Sequence, residues 1–337
     1  MKIAINGFGR IGRIIARNLF LNPEHRKTLQ LVAVNDLATP QELAFSLKYD
    51  STHGTYPLDI KSDAESITID GHRIACIKQP KAEELPWKSF GVDIVFECTG
   101  RLTDKDSAMA HIKAGAKRVI VSAPAKGVDG TFVMGVNHKT YDPSKHVIVS
   151  NASCTTNCLA PMANVIHNKW GIKSGYMTTI HSYTSDQRII DNIHKDPRRS
   201  RTAAANMIPT TTGAAKSVGE VIPALKGKLD GISVRVPTPN VSFTDLVAVL
   251  EKSATAEEIN QALREAANGE LKGILGVCEE ELVSSDFNGN PLSSIIDAKV
   301  TAAMPAQNMI KVCSWYDNET GFSCRMLDFA AYMSSKG

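Results

Sequence analysis

The chain has 337 residues, of which 43% are hydrophobic and 22% charged, and its formal net charge is +3. That is length for two ordinary domains and a sizeable core, while the near-neutral balance excludes a strong global field and gives no support for a dedicated nucleic-acid or anionic-membrane surface. Seven cysteines, an odd number and mostly set in apolar runs such as "VFECTG" and "MIKVCSWY", read as reduced thiols rather than a disulfide framework.

The first residues, "MKIAINGFGR", carry too short an apolar run for a signal-peptide core, and no later run reaches the length of a bilayer span. A cytoplasmic location and no membrane are therefore expected. From there the first half alternates apolar strands with helical patterns: "KIAIN", "GRIIARNLFL", "LQLVAVND", "VDIVFECTG", "AMAHIKAGA", "KRVIVSA" and "HVIVS". Such a rhythm predicts an α/β unit of Rossmann type, with a parallel sheet covered on both faces. One segment departs from it: "SITIDGHRIACI" holds an Asp70-Gly71 link between alternating runs and predicts an antiparallel hairpin.

Past residue 150 the texture changes. A helix at about 155–169 leads to "GYMTTIHSYT", then a polar and basic loop containing "HKDPRRSR". Further strands follow ("GISVRVP", "VSFTDLVAVL", "IIDAKVTAAM", "NMIKVCSWYD"), with one amphipathic helix near "TAEEINQALREAAN". This half reads as an α+β domain with a mostly antiparallel sheet. The expected division is a dinucleotide-binding domain over 1–150 and a catalytic domain over 151–318.

Chemistry concentrates in two places. "INGFGRIGR" gives Gly7-x-Gly9-x-x-Gly12 directly after a strand and opening a helix. The glycines allow a tight turn, close approach of a pyrophosphate and close helix–strand packing, and the helix N-terminus favours the negative charge. Asp36 ends the next strand at the offset expected of an acid on ribose hydroxyls. It would also repel a 2′-phosphate, so NAD is favoured over NADP.

The second place is "NASCTTNC". Ser153 or Asn151 can cap the helix, which places Cys154 in or near its first turn, and a helix N-terminus should lower the thiol pKa. No further ligands at metal spacing accompany Cys154 and Cys158, and a disulfide does not suit a reducing compartment. Cys154 is the candidate nucleophile, while Cys158, one turn on, packs. His181, leaving a strand for a polar loop, is the best base of the nine histidines, with His53 its competitor. Arg235, in the alternating run "SVRVP", has a planar fork that matches a phosphate. Thr155, Thr184 and the "TTTGAAK" stretch add hydroxyls and a helix start.

Taken in order, "INGFGRIGR", "NASCTTNC", "HSYTSDQR", "IPTTTGAAK", "VRVPTPNVS" and "WYDNETGF" closely resemble the phosphorylating glyceraldehyde-3-phosphate dehydrogenase family, from residue 5 to residue 322. The resemblance implies oxidation of D-glyceraldehyde 3-phosphate to 1,3-bisphosphoglycerate with NAD, through a hemithioacetal and thioester on Cys154 with His181 as base. It implies that Ser153, Thr155, Thr184, Arg199, Thr212, Gly213 and Arg235 surround the substrate phosphate and inorganic phosphate. Toward the cofactor it points to Arg10 and Ile11 beside the glycines, Asp36, Lys78 (where many relatives have Arg), Ser122 and Asn318. It also implies a homotetramer, with the loop from about 181 to 206 near a neighbouring subunit's cofactor and a C-terminal helix, about 319–337, packed back on the first domain. Asn192-Ile193 differs from the Leu-Pro of many strictly NAD-dependent relatives. The rival readings are an erythrose-4-phosphate dehydrogenase, a cysteine hydrolase built on Cys154 and His181, and a non-catalytic NAD-sensing or RNA-binding protein.

Overall fold

The computed structural model describes residues 1–336, which divide into two compact units. The first comprises Met1–Met134, His138–Ser153 and the C-terminal stretch from Ser323; the second comprises Gly135–Asn137 and Cys154–Phe322.

In the first unit nine strands form one sheet in the order Ile60–Ser62, Ser66–Ile69, His72–Ile77, Gln30–Asn35, Lys2–Asn6, Ile94–Glu97, Arg118–Val121, Ile148–Ser150 and Gly130–Thr131. Pairing is parallel from His72–Ile77 onward, and the first three strands pair antiparallel. Short continuous apolar runs are what parallel strands covered on both faces require, and Ile3, Ala4 and Ile5 at the sheet centre are fully buried. Each isoleucine so buried contributes about 1.5–3 kcal/mol. The expected hairpin is present: Asp70 and Gly71 join Ser66–Ile69 to His72–Ile77, and both take positive φ (48° and 79°) as a type I′ turn demands.

Lys2–Asn6 is flanked by Gln30–Asn35 on one side and Ile94–Glu97 on the other. The chain order therefore reverses at this central strand, and in open α/β sheets ligands bind beyond the carboxyl ends of strands at such a switch point.

The second unit holds an eight-stranded, mostly antiparallel sheet. Its main path runs Ile208–Thr211, Leu229–Val236, Ile172–Ser182, Ser242–Leu250, Met309–Tyr316, Ser294–Asp297 and Leu275–Cys278, with Ala302–Met304 paired to Met309–Tyr316. Ile172–Ser182 lies between a parallel neighbour, Leu229–Val236, and an antiparallel one, Ser242–Leu250. Helix Cys154–Trp170 is buried along most of its length, including Cys158, Leu159, Met162 and Ile166.

Candidate functional site

The strand Ile148–Ser150 runs into helix Cys154–Trp170 through a three-residue turn. Ala152 there sits at φ 58°, a left-handed conformation that costs a residue with a Cβ of order 1 kcal/mol or more. Its amide donates to the Ser150 hydroxyl at 3.0 Å, which helps hold the strained turn. The outcome is a thiol at the first helical residue, Cys154, partly accessible, where the free amides of the helix start surround it.

His181 arrives on the strand Ile172–Ser182, with Nε2 3.5 Å from Cys154 Sγ. Nδ1 lies 2.7 Å from the Ser182 carbonyl oxygen. Arg235 Nη1, which can only donate, stands 3.0 Å from the same nitrogen. The carbonyl contact is the shorter, and with the proton directed to it Nε2 turns its lone pair to the thiol, the tautomer a base needs. Arg235 is the register partner of His181 across the parallel pair, and its Nη1 donates to the same carbonyl at 3.1 Å.

The electrostatics correct one expectation. The helix start was expected to lower the thiol pKa, yet burial pushes it above its ordinary value; the Arg235 charge and bonds from Thr155 offset this only in part. Burial and then Arg235 push His181 down to about 3, against the Ser182 bond that raises it. Burial also lowers the basicity of Arg235, and Arg199 is close enough to lower it further. Two guanidinium groups that repel each other form an arrangement that a bound anion relieves.

The remaining predicted anion ligands divide. Arg199 donates to the Thr210 hydroxyl through Nε (2.8 Å) and Nη2 (2.6 Å) and is ion-paired with Asp186. Thr210 lies on the strand next to that of Arg235. Gly213 and Thr212 open helix Ala214–Val221, where the Thr212 hydroxyl accepts from the Ala214 amide at 3.2 Å. A Cβ on Gly213 would meet no protein atom within 4 Å. Thr184 is exposed, with its hydroxyl on Gln187 Oε1 (3.2 Å), and Ser153 is partly exposed. Thr155, by contrast, is buried, with its hydroxyl 2.8 Å from Tyr316 Oη. Tyr316 also meets the Thr179 hydroxyl at 2.9 Å and sets its ring edge against His181. Sequence reasoning missed Tyr316, although the "WYDNETGF" block contains it.

In the first unit the switch point opens into a cleft of about 770 Å³, lined among others by Asn6, Gly7, Gly9, Asp36, Cys98 and Thr99. The volume lies within the range of small-molecule and cofactor sites. Gly7 takes φ 89° and a Cβ there would strike the Thr99 amide at 2.7 Å; a Cβ on Gly12 would strike the Gly7 carbonyl at 2.3 Å. At Gly9 a Cβ would meet nothing within 4 Å, so the protein itself makes no demand for glycine there. A ligand approaching the backbone supplies that demand, and the donor set fits a dinucleotide. Asp36 receives the Phe8 amide at 2.8 Å and so ties the glycine turn to the second strand. Arg10 and Ile11 open helix Arg10–Leu21, with the Arg10 guanidinium bonded to Asp50 at 2.5 and 3.2 Å. Asp50 is held down at about 2, with Arg10 and the amides of His53 and Thr52 outweighing burial. Of the expected cofactor residues, Gly7, Gly9 and Asp36 line this cleft, while Arg10, Ile11, Gly12, Lys78, Ser122 and Asn318 are not among its lining residues: Lys78 is exposed beyond its strand, and Ser122 bonds the Cys98 thiol.

Beneath the cleft lies a buried polar network that the sequence did not reveal. Glu97 accepts from Asn6 Nδ2 (2.7 Å), the Thr99 amide (2.8 Å) and His111 Nε2 (2.9 Å), and Trp87 Nε1 donates to His111 Nδ1 at 3.0 Å. Its components stand far apart in sequence and no local pattern links them. Among the described residues, no group of three or more His, Cys, Asp or Glu could hold a metal, and no helix is long and apolar enough to cross a membrane.

Comparison with known proteins places this geometry in context. Residues 1–105 match the family described as glyceraldehyde 3-phosphate dehydrogenase, NAD binding domain, and residues 153–318 match its C-terminal domain. The chain is 56% identical over 337 residues to glyceraldehyde-3-phosphate dehydrogenase of Geobacillus stearothermophilus, covering 100% of this chain and 99% of that one. Over the same length and coverage it is 54% identical to glyceraldehyde-3-phosphate dehydrogenase 1 of Bacillus subtilis (strain 168). With the protein of that name from Zymomonas mobilis subsp. mobilis it shares 53% over 336 residues, covering 99% of this chain and 98% of that one.

Proposed function

Because this chain belongs to the glyceraldehyde 3-phosphate dehydrogenase family, we propose that it oxidises D-glyceraldehyde 3-phosphate and captures the acyl group with inorganic phosphate as 1,3-bisphosphoglycerate. NAD is the cofactor, and when bound it supplies the hydride acceptor. The observation that carries the reading is the 3.5 Å approach of His181 Nε2 to Cys154 Sγ, with Nδ1–H tied to the Ser182 carbonyl.

The steps follow from that pair. His181 takes the thiol proton as Cys154 Sγ adds to the aldehyde carbon, and returns it to the alkoxide to give a hemithioacetal. His181 then removes the hydroxyl proton while the hydride leaves that carbon, and a thioester remains on Cys154. The amides of the helix start and the His181 imidazolium stabilise the oxyanion. A phosphate oxygen attacks the thioester carbonyl, and the departing thiolate recovers its proton from His181.

Arg235, Arg199, Thr212, Gly213, Thr184 and Ser153 are the proposed phosphate ligands; Thr155, whose hydroxyl is engaged with Tyr316, would contribute its backbone. Gly7, Gly9, Arg10, Ile11, Gly12, Asp36 and Asn318 are the proposed cofactor residues, with Lys78 and Ser122 at its margin. In this reading residues 1–150, with the helix at about 319–337, form the NAD-binding domain and 151–318 the catalytic domain. The chain would act in the cytoplasm as a homotetramer. Seven free thiols suit a reducing compartment, and exposed Ile189, Ile190, Ile193 and Met207 in one loop suit a partner subunit.

The test is NADH formation by the purified protein with the three-carbon and four-carbon aldehyde phosphates, with and without phosphate or arsenate. A phosphate requirement and preference for the three-carbon aldehyde are expected. Preference for the four-carbon sugar without that requirement would overturn the reading in favour of the erythrose enzyme, for which the relatives compared give no support.

A further inference from the structure

Asn318 follows the strand Met309–Tyr316 in a loop fixed by Asp317, whose Oδ1 accepts the amides of Glu319 (2.9 Å) and Thr320 (2.8 Å). Its own side chain is fixed too. Asn318 Oδ1 accepts from the Ser182 hydroxyl at 2.8 Å and from the Ser242 hydroxyl at 2.8 Å. All three side chains are buried, at 0%, 2% and 6% exposure for Ser182, Ser242 and Asn318.

The direction of the amide follows from proton count. Ser242 Oγ already accepts the Ser182 backbone amide at 3.1 Å, so its single proton is left to donate. With the amide flipped, the Ser242 proton would exchange its 2.8 Å bond to Oδ1 for the 3.5 Å contact with Ser182 Oγ, and the Ser182 proton would lose its acceptor, a buried loss that outweighs an ordinary hydrogen bond. The two serines therefore hold Oδ1 and leave Nδ2 as the group available to a ligand. Ser182 is also the residue whose carbonyl fixes the His181 tautomer and receives Arg235. One residue thus orients the base through its backbone and the Asn318 amide through its side chain.

We propose that Ser182 and Ser242 are positioning residues that act through Asn318, presenting its Nδ2 to the carboxamide oxygen of the nicotinamide ring. The inference rests on the proposed function. Hydride transfer requires that ring beside a carbon held on Cys154, and Asn318 is tied to the residue next to the catalytic base. An amide held in one orientation fixes the ring about its glycosidic bond, so the serines set affinity for the reactive half of the cofactor and leave the adenosine half untouched.

The test is calorimetric titration of Ser182→Ala, Ser242→Ala, Asn318→Ala and the Ser242→Ala/Asn318→Ala double variant with NAD and with ADP-ribose, which lacks the ring. Each serine variant should bind NAD about three- to tenfold more weakly, with ADP-ribose affinity unchanged. In the Asn318→Ala background, Ser242→Ala should add no further loss. Equal losses for both ligands, an undiminished NAD affinity, or additive losses in the double variant would each overturn the proposal. Should one serine variant fail to fold, the other serine and the Asn318→Ala background still decide it. Failure of wild type to bind NAD would instead overturn the underlying functional reading.

Discussion

Two cysteines close to strand ends have opposite surroundings. Cys98 follows the strand Ile94–Glu97 in the first unit, and Cys154 begins the helix after Ile148–Ser150. Burial raises the pKa of both thiols. Beside Cys98 the charge is Glu97, which raises it further; beside Cys154 it is Arg235, which lowers it, and a ring nitrogen stands 3.5 Å away. Position after a strand is common to both and decides nothing. A base and a cation separate a nucleophile from a thiol that lines a cleft.

Removing the nucleophile should have the largest effect. Cys154→Ser should cost about 10⁴-fold or more in kcat, and steady-state NADH formation should be at background. His181→Asn should lower kcat by about 10²–10⁴-fold and slow iodoacetamide alkylation of Cys154, while alkylation of Cys98 is unaffected. Peptide mapping after a timed pulse separates the two thiols.

Arg235→Gln comes next in size. Removing a charged ligand should raise KM for phosphate by about tenfold or more. Arg235 also lowers the pKa of His181, so its loss should move the acid limb of the kcat profile to higher pH. The sign follows from the base role: neutral His181 works, and a raised pKa protonates it at a higher pH. The smallest effect belongs to Cys158→Ala. This thiol lies 3.4 Å from Thr244 Oγ1 and 3.7 Å from Ser294 Oγ, and burial holds it at about 11. Turnover should stay within about twofold of wild type, with about 1 kcal/mol of stability lost in denaturant titration.

Much of the site was legible where chemistry is local. Gly7, Gly9 and Gly12 announce a backbone conformation and a close approach, and Asp36 ends the following strand, so a short window contains the whole motif. The hairpin at Asp70-Gly71 was legible for the same reason. Thr155 was not: its type and position suit a phosphate ligand, but its hydroxyl turns to Tyr316, 161 residues away in sequence. Lys78 was placed by analogy of position and stands exposed, since nothing local fixes the direction of a long side chain at a strand end.

The sequence by itself determined the parallel and antiparallel halves, the glycine turn, a helix with Cys154 in or near its first turn and a histidine leaving a strand. Each follows from periodicity, turn chemistry or capping within a few residues. Only the tertiary structure decided that His181 and Arg235 are register partners, that Ser182 serves both the base and Asn318, and that the thiol is raised and not lowered. Register joins strands that are distant in sequence, and desolvation sums over every group packed around a site. Neither quantity is contained in any local stretch of residues.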